Sequence, residues 1–392
     1  MTANAVVSPL PNQDNQQQGD EPLATMARLV RESFAVVEPH HDRVAQHFYS
    51  TLFAIAPATR EMFPVNMQVQ RSRLLRALVH VVQMVDRPDD LLPFLRQLGR
   101  DHRKFGVIAG HYEAVGMALL SAVKQYAGAA WTEEVERAWA EAYTIMARAM
   151  LEAASADQSP AWWNGTVVEH HRLARDLAVV RVQPDYAVPY QPGQYLSVEV
   201  PQRPRMWRYF TPATAPRDDG LLEFHIRAVQ TGWVSRSIVT HGEPGDVWRI
   251  GPPMGRLAVN RDSGRDVLMI AGGTGIAPMR AIIDHLANWG ENPRVQVFYG
   301  GRIRADLYDL ENLQATAASN PWLKVVPVLE SDSTMAAVEN GTLADVVTRY
   351  GAWQDHDVLV SGSPAMVRST VSRMLVAGTA LDRITYDPFT VD

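Results

Sequence analysis

The chain of 392 residues contains no cysteine. Disulfide bonds, thiolate catalysis, zinc–thiolate sites and iron–sulfur clusters are therefore excluded, because each of them needs a cysteine sulfur. A metal held by this chain must use histidine, tyrosine, methionine or carboxylate ligands. Any redox chemistry must accordingly come from bound cofactors.

Long apolar runs and an excess of positive charge are also missing. The stretch 74–85 is partly apolar, but Arg76, His80 and Gln83 interrupt it, so it falls short of the ~20 residues that a membrane helix needs. The formal net charge of -6 gives no electrostatic reason to bind nucleic acid. We therefore expect no membrane span and no nucleic-acid partner.

The first 20 residues contain glutamine, asparagine and proline but no basic, apolar leader. This composition predicts a disordered N-terminal tail over residues 1–20 and not a signal peptide, with the cytoplasm as the expected location. The rest of the chain is long enough for two or three domains, each with its own core.

Residues 21–156 have the pattern of an all-α domain. Apolar residues recur at helical spacing among good helix formers, with almost no β-branched alternation. Prolines and one capped start at Thr132 separate the helices. The predicted helices cover residues 23–36, 39–53, 69–85, 89–101, 110–126 and 132–154.

The best candidate for metal ligation in this half is His102. It follows an amphipathic helix and precedes a short loop, so its imidazole can point between helices. Tyr49, Phe63 and Gln70 lie where a helical sandwich could wrap a flat, apolar ligand. A lone histidine is also commonly a solvated or core residue, and that interpretation stays open at this point. The remaining candidates, which we interpret as structural, are His47, His80 and His111.

After a polar linker at residues 155–160 the hydrophobic period changes to two. Proline and glycine turns separate short strands, so a small antiparallel β-barrel over residues 157–262 is predicted. One helical stretch, near residues 232–240, interrupts the strands. The predicted strands cover residues 163–170, 178–183, 195–200, 207–211, 221–228 and 247–251.

The stretch 206–212 of this barrel has the residues of a flavin site. Arg208 offers a planar charged group for a pyrophosphate, and the Thr211 hydroxyl can reach a ring nitrogen without blocking it. Tyr209 and Phe210 supply packing. The segment 231–237 places a glycine and hydroxyls at a helix start, which suits an anion, although a capping serine explains it equally well.

Residues 263–392 alternate strand and helix, which predicts an α/β domain with a parallel sheet. A buried strand at 266–271 leads into a glycine loop that opens a helix over residues 280–289, the arrangement in which backbone can approach a dinucleotide pyrophosphate. Pro278 presets the first helical turn. Further strands are predicted at 295–299, 324–329 and 357–360, and the segment 361–366 starts another helix opposite the glycine loop.

On these residues the first half resembles the globin portion of flavohaemoglobins, from about residue 22 to 155. The resemblance implies haem b with His102 as the proximal iron ligand. Tyr49 and Gln70 would be the distal hydrogen-bond donors, with Phe63 against the porphyrin and Leu74 as a pocket wall. Tyr112 would join the proximal hydrogen-bond network.

The chain departs from this family on the proximal side. The family has a glutamate where Ala154 stands, and the nearest acid, Glu152, lies two residues earlier. Two residues turn a helix by about 200°, so both positions cannot face the haem. Whether Glu152 supplies the carboxylate is open. Without it, the electron push onto iron would be weaker.

The second half resembles the ferredoxin-reductase module, which implies FAD and either NADPH or NADH. The family usually has tyrosine at Phe210 and cysteine at Ser361. The FAD residues would be Tyr195, Arg208, Tyr209, Phe210, Thr211, Gly232, Val234 and Ser235. The nicotinamide side would be formed by Gly273, Thr274, Gly275, Ile276, Ala277, Pro278, Ser361 and Gly362. In the C-terminal tail, Asp387 stands where glutamate is usual, and Phe389 would shield the flavin.

The resemblance implies a flavohaem oxidoreductase. Electrons would pass from NAD(P)H through FAD to haem iron, with oxygen-dependent conversion of nitric oxide to nitrate as the overall reaction. Two alternatives stay open, namely reduction of another oxidant such as a peroxide, and a globin sensor of oxygen or redox state that gates the flavin. Arg302 and Arg304 favour NADPH, but Asp306 and Asp309 lie nearby, so the choice of dinucleotide is open, as is the oligomeric state.

Overall fold

The computed structural model describes residues 14–230, 232–331 and 337–387. The chain divides into two compact units, Met1–Gln158 and Ser159–Asp392. The predicted boundary at residue 262 falls inside the second unit. Thr231 and Phe389 lie outside the described residues, as do residues 1–13 of the predicted tail.

The first unit is helical, as predicted. The first helix begins at Asp14, so residues 14–20 of the predicted tail are helical and continue a helix that was expected to start at residue 23. Glutamine and glutamate are good helix formers, which accounts for this extension. The helices are α1 (Asp14–Val37), α2 (His41–Ile55), α3 (Gln68–Met84), α4 (Pro88–His102), α5 (Ala109–Ala127) and α6 (Glu133–Ala156).

Close approach between helices fixes the position of α4, which ends at His102. A Cβ added to Gly99 would lie 2.3 Å from the carbonyl oxygen of Met150 on α6. Elsewhere along α6, a Cβ at Gly116 of α5 would lie 2.5 Å from the Tyr143 ring. Trp139 is fully buried and donates a hydrogen bond of 2.9 Å to the Ser33 hydroxyl, which joins α6 to α1.

No single helix among the described residues is long and apolar enough to cross a membrane. One pair, Pro88–Phe105 with Ala109–Ala130, passes a test of length and composition together, but it is bent by 112°.

The first sheet of the second unit pairs its strands antiparallel in the order β4-β3-β6-β1-β2-β5. A single antiparallel bridge between Pro212 and Phe224 connects the segment after β4 to β5, the two strands at the ends of this order. One helix, α7 (Trp233–His241), follows β5. The strands are β1 (Trp163–Ala174), β2 (Leu177–Pro184), β3 (Tyr195–Glu199), β4 (Arg208–Phe210), β5 (Leu222–Arg227) and β6 (Val247–Met254).

The second sheet is parallel, as predicted, with the order β10-β9-β8-β7-β11-β12. Its strands are β7 (Asp266–Gly272), β8 (Val295–Gly301), β9 (Leu323–Leu329), β10 (Glu339–Asn340), β11 (His356–Ser361) and β12 (Ile384–Tyr386). The helices are α8 (Ile276–Ala287), α9 (Leu310–Ser319), α10 (Leu343–Tyr350) and α11 (Pro364–Val376). Because β7 and β11 are neighbours, the glycine loop and Ser361 meet at the carboxyl edge of the sheet.

The predicted start of α8 is four residues late. We expected the helix from Arg280, but it begins at Ile276 and contains Pro278 in its first turn. Proline is tolerated there because the first amides of a helix have no intrahelical partner. The glycine loop therefore leads directly into the helix.

We predict that Gly99→Ala destabilises the helical unit by about 2 kcal/mol, because the added methyl group collides with backbone that cannot move without separating α4 from α6. The matched control is Gly110→Ala on α5, where a Cβ meets no described atom within 4 Å and alanine is the better helix former. Urea unfolding followed by circular dichroism measures both. Equal midpoints for the two variants would contradict the prediction.

Candidate functional site

His102 lies at the end of α4 with its ring orientation fixed. Its Nδ1–H donates a hydrogen bond of 2.7 Å to the carbonyl oxygen of Leu98, one turn earlier. This bond leaves the lone pair on Nε2, the tautomer that an axial metal ligand requires. Burial lowers the pKa of the imidazole, which favours the neutral ring. The ring is half-buried.

The residues predicted for the distal side come together on α2 and α3. The Tyr49 hydroxyl donates to the backbone oxygen of Gln70 at 3.3 Å, and the Gln70 side chain accepts from Arg73 at 3.4 Å. The rings of Tyr49 and Phe63 contact each other with centroids 5.4 Å apart, and Phe53 packs against both. Burial raises the pKa of Tyr49, so the phenol remains a hydrogen-bond donor at neutral pH.

The charge of Arg73 acts on two buried groups of the helical unit. Burial raises the pKa of the Tyr49 phenol and lowers that of the Lys104 ammonium, and the positive charge of Arg73 opposes the first shift and adds to the second. Leu74, the predicted pocket wall, is half-buried and packs against the helical core. The residues predicted for the distal side therefore lie together in the helical core.

The two residues considered for the proximal side have different surroundings. Glu152 is exposed and borders a surface pocket with Arg96 and Arg100. Tyr112 is half-buried, and its carbonyl oxygen accepts a short hydrogen bond from the Tyr143 hydroxyl. Tyr143 is therefore a further polar group near Tyr112 that sequence reasoning missed.

Sequence reasoning also missed a buried ion pair beside His102. The Lys104 ammonium lies 2.5 Å from the Asp101 carboxylate, and both side chains are almost fully buried. Two opposite charges three residues apart usually form an exposed pair, so only their place at a helix end inside the unit could have indicated burial.

The predicted flavin residues line the exposed end of the first sheet. Strand β4 is the last in its order, and Tyr209 on it is 42% exposed. The ring of Tyr209 contacts that of Tyr195 on β3 at 5.0 Å. Arg208 donates to the Trp207 carbonyl oxygen at 2.9 Å, and Thr211 is half-buried just beyond the strand. Phe210 instead packs inward.

The sequence left two interpretations of the start of α7 open, an anion site and a serine with a structural role, and the structure has features of both. Gly232 is the residue before the helix and supplies no side-chain cap, which leaves the first amides of α7 for an anion. Ser235 stabilises the turn before α7, because its hydroxyl accepts a hydrogen bond of 3.4 Å from the Val229 amide. The Val234 side chain is fully buried in the core, so a contact with an anion would have to come from its backbone amide.

Asp387 lies beside the predicted flavin residues. A Cβ on Gly255 would lie 2.8 Å from the Tyr195 ring and 2.9 Å from the Asp387 Oδ2 atom, so these side chains are neighbours. Oδ1 accepts from the Arg256 amide at 3.1 Å, whereas buried Oδ2 has no partner in the part of the chain that is described. Burial raises the pKa of Asp387 to about 6. Buried oxygens normally have a hydrogen-bond partner, and a polar group of a bound flavin beside Tyr195 would supply one.

The glycine loop and Ser361 form the predicted nicotinamide region. A Cβ on Gly275 would lie 2.4 Å from the Ser361 carbonyl oxygen, so only glycine allows this approach. Gly273 adopts a φ of 54°, which glycine reaches without strain. Thr274 is half-buried, and Ile276, Ala277 and Pro278 begin α8 as buried residues. Gly362 packs against Met366.

The loop after β8 carries the arginines considered for NADPH. Arg302 and Arg304 are exposed. The Asp306 carboxylate accepts from the Arg302 and Ile303 amides, at 2.9 and 3.3 Å, and pairs with Arg227 at 3.2 Å. These amides are thus satisfied within the chain.

Comparison with known proteins agrees with this arrangement. The globin family model matches residues 46–150, the oxidoreductase FAD-binding domain matches 164–259, and the oxidoreductase NAD-binding domain matches 269–372. The flavohemoprotein of Bordetella parapertussis is 29% identical over 314 residues, which cover 75% of this chain and 78% of that protein. The chain is a flavohaemoprotein oxidoreductase.

Solved structures support the fold of both units of this flavohaemoprotein. The flavohemoglobin of Malassezia yamatoensis, with bound FAD and haem, gives a TM-score of 0.78 at 18% identity, covering 93% of this chain and 98% of that one. The FAD/NAD-binding domain of nitric oxide dioxygenase from Vibrio cholerae gives 0.51 at 20% identity, covering 59% and 99%. Together with the matched globin, FAD-binding and NAD-binding domains, this confirms the predicted cofactor set of haem, FAD and a nicotinamide dinucleotide.

The raised pKa of Asp387 gives a pH-dependent prediction. The folded-state pKa of about 6 exceeds the ordinary 3.8, so the fold favours the protonated carboxyl, and stability falls as pH rises from about 4 through 6. We expect Asp387→Asn to stabilise the FAD-free full chain by about 1–2 kcal/mol at pH 8 and by much less at pH 4. Thermal unfolding across this range measures the difference.

The control for this measurement is Asp382→Asn, at a carboxylate that is 77% exposed in the same C-terminal segment. It should leave the pH dependence of the wild type unchanged. A stabilisation by Asp387→Asn that is equal at pH 4 and pH 8 would refute the prediction.

Proposed function

We propose that this flavohaemoprotein uses NAD(P)H and oxygen to convert nitric oxide to nitrate. The observation that carries the proposal is the pairing of a neutral, oriented His102 with a polar group of Tyr49 and Gln70 in the same helical unit. The name of the Vibrio cholerae protein, a nitric oxide dioxygenase, supports this substrate.

The residues present fit both prosthetic groups. His102 would hold haem through Nε2, with Phe63 and Leu74 against the porphyrin, and the Tyr195–Tyr209 edge would hold FAD. When bound, FAD takes up a hydride and gives out single electrons, and haem iron provides the site at which oxygen and nitric oxide react.

The chain's own contribution on the distal side is hydrogen bonding. A phenol with a raised pKa donates without losing its proton, and in an apolar pocket such a donor stabilises developing negative charge. Phe53 and Phe63 pack around the Tyr49 ring and limit its movement. Gln70, held by Arg73, adds a second donor that rotation of its amide can bring to a ligand.

The activity test follows nitric oxide with an electrode in the presence of NADH or NADPH, and measures nitrate in the same samples. Oxygen-dependent consumption with one nitrate formed per nitric oxide supports the proposal. Nitrate at the uncatalysed level rejects it. The absorption spectrum, with a Soret band that is lost in His102→Ala, tests haem ligation separately.

A second candidate is a haem–flavin reductase of peroxides. The exposure of Glu152 favours it, because no glutamate of α6 then supports the proximal histidine as the family pattern would have it. Oxidation of NADH that depends on hydrogen peroxide or an alkyl peroxide, and proceeds without oxygen, would select this reaction over the first.

We predict that Tyr49→Phe lowers the turnover of nitric oxide about tenfold and leaves haem content unchanged. The phenyl ring keeps the packing with Phe53 and Phe63, while the loss of one donor to a partly charged ligand costs about 1.5 kcal/mol. Tyr126→Phe, on α5, is the matched control and should behave as wild type. Equal turnover in the two variants would exclude a role for the Tyr49 hydroxyl.

A further inference from the structure

Strand β5 has two different faces, both buried. Phe224 points into the core of the first sheet, where its ring contacts those of Phe210 at 6.5 Å and Trp248 at 6.0 Å. Its neighbours Glu223 and His225 point to the opposite face because side chains alternate along a strand. Their side chains are only 8% and 2% exposed, although both are polar.

Arg280 of α8 reaches these two side chains. Its Nη1 atom lies 3.1 Å from the Glu223 Oε1 atom and 3.1 Å from the His225 Nε2 atom. Glu223 Oε1 and His225 Nε2 are themselves 3.1 Å apart, so the three groups form a closed triangle. The other carboxylate oxygen of Glu223 accepts from Arg181 Nε on β2 at 2.8 Å.

The segment between β8 and α9 completes the network. The other ring nitrogen of His225, Nδ1, lies 2.8 Å from the Tyr308 hydroxyl, so the imidazole is held at both nitrogens. Asp309 lies 3.5 Å from Arg280 and accepts from Asn312 at 2.8 Å. Contacts thus run from β5 of the first sheet to two places beside the second sheet, namely helix α8 and the segment between β8 and α9.

Burial explains why this network specifies geometry more than it adds stability. Charged groups lose their hydration when buried, and a buried ion pair seldom stabilises more than an apolar pair of the same size. The hydrogen bond from His225, the one from Arg181 and the charge of Arg280 lower the pKa of Glu223 to about 2, so the carboxylate stays ionised. An ionised, buried carboxylate tolerates few arrangements of its partners.

Both ends of the network lead to predicted cofactor residues. The Glu223 carbonyl oxygen accepts from the Ala213 amide at 2.7 Å, two residues after Thr211, and β5 also forms the bridge between Phe224 and Pro212. Arg280 lies one turn into α8, the helix that the glycine loop opens. Movement of Arg280 would therefore shift the nicotinamide residues relative to the flavin residues.

We propose that Glu223, His225 and Arg280 are positioning residues for hydride transfer, which lock the nicotinamide-binding half of the reductase unit onto the flavin-binding half. They act through β5 and α8 and contact neither reacting ring. The inference depends on the FAD and NAD domains and not on nitric oxide as substrate, so flavin reduction tests it whatever the final oxidant is.

The experiment mixes full-length, FAD-loaded Arg280→Met with NADH without oxygen and follows flavin absorbance in a stopped-flow instrument. Methionine keeps much of the length but removes the charge and every donor. We expect the limiting rate of flavin reduction to fall roughly tenfold, because misplacement of reacting groups by a fraction of an ångström is costly. FAD affinity, NADH affinity and the Soret band should change less than twofold.

Two further readouts separate positioning from general damage. Arg280→Lys should recover part of the rate, since lysine restores the charge but not the planar group. Amide hydrogen exchange of the FAD-free chain should increase in β5 and α8 of Arg280→Met and remain as in wild type in β9 and α11. The matched control is Arg373→Met, which removes an ion pair with Asp345 inside the nicotinamide half and should leave the rate unchanged.

Tyr308→Phe decides the matter if Arg280→Met does not fold. It removes only the hydroxyl that holds His225, and we expect flavin reduction to slow roughly threefold with FAD retained. A limiting rate within 1.5-fold of wild type in a folded Tyr308→Phe, or a folded Arg280→Met that reduces its flavin at the wild-type rate, would overturn the proposal. Slower reduction that is explained wholly by lost FAD would also overturn it.

Discussion

Alternation along strand β5 is the constraint on which the reductase unit depends. Phe224 must enter the apolar core of the first sheet, and this places Glu223 and His225 against Arg280. A shift of the strand by one residue would bury the charges in the core and turn the phenylalanine toward an arginine. The pairing of β5 with β2, and its bridge to Pro212, therefore fix two cofactor regions through one register.

In the helical unit, hydrogen bonds to backbone oxygens orient the predicted site residues. Here two of the predicted haem residues are each held by a backbone carbonyl oxygen. Leu98 orients His102, and the backbone of Gln70 engages Tyr49. A neutral ring with a fixed orientation suits a single axial bond. Among the described residues no group of three or more histidine, aspartate or glutamate side chains is placed to hold an ion.

Much of the fold followed from local patterns, since helical periodicity and the strand–glycine loop–helix motif depend on neighbouring residues. Patterns of this kind located the glycine loop and its approach to Ser361 correctly. The network around Arg280 escaped prediction because it joins residues from distant parts of the chain, and each looks like a surface charge in sequence. The depth of Val234 and the use of Ser235 in a turn also depend on tertiary contacts. The one signal in the sequence was the pattern of β5, in which polar and apolar residues alternate although both faces of the strand are buried.

The serine at the carboxyl end of β11 has a chemical consequence for the predicted nicotinamide region. A thiol at that place would be open to nitrosation, to glutathionylation and to stepwise oxidation by peroxide, and each of these adducts would occupy the edge where β7 and β11 meet. The hydroxyl of Ser361 undergoes none of these reactions. The edge where β7 and β11 meet therefore carries a side chain that peroxides and nitrosating agents leave unchanged, and no reductase or thiol pool is needed to restore it.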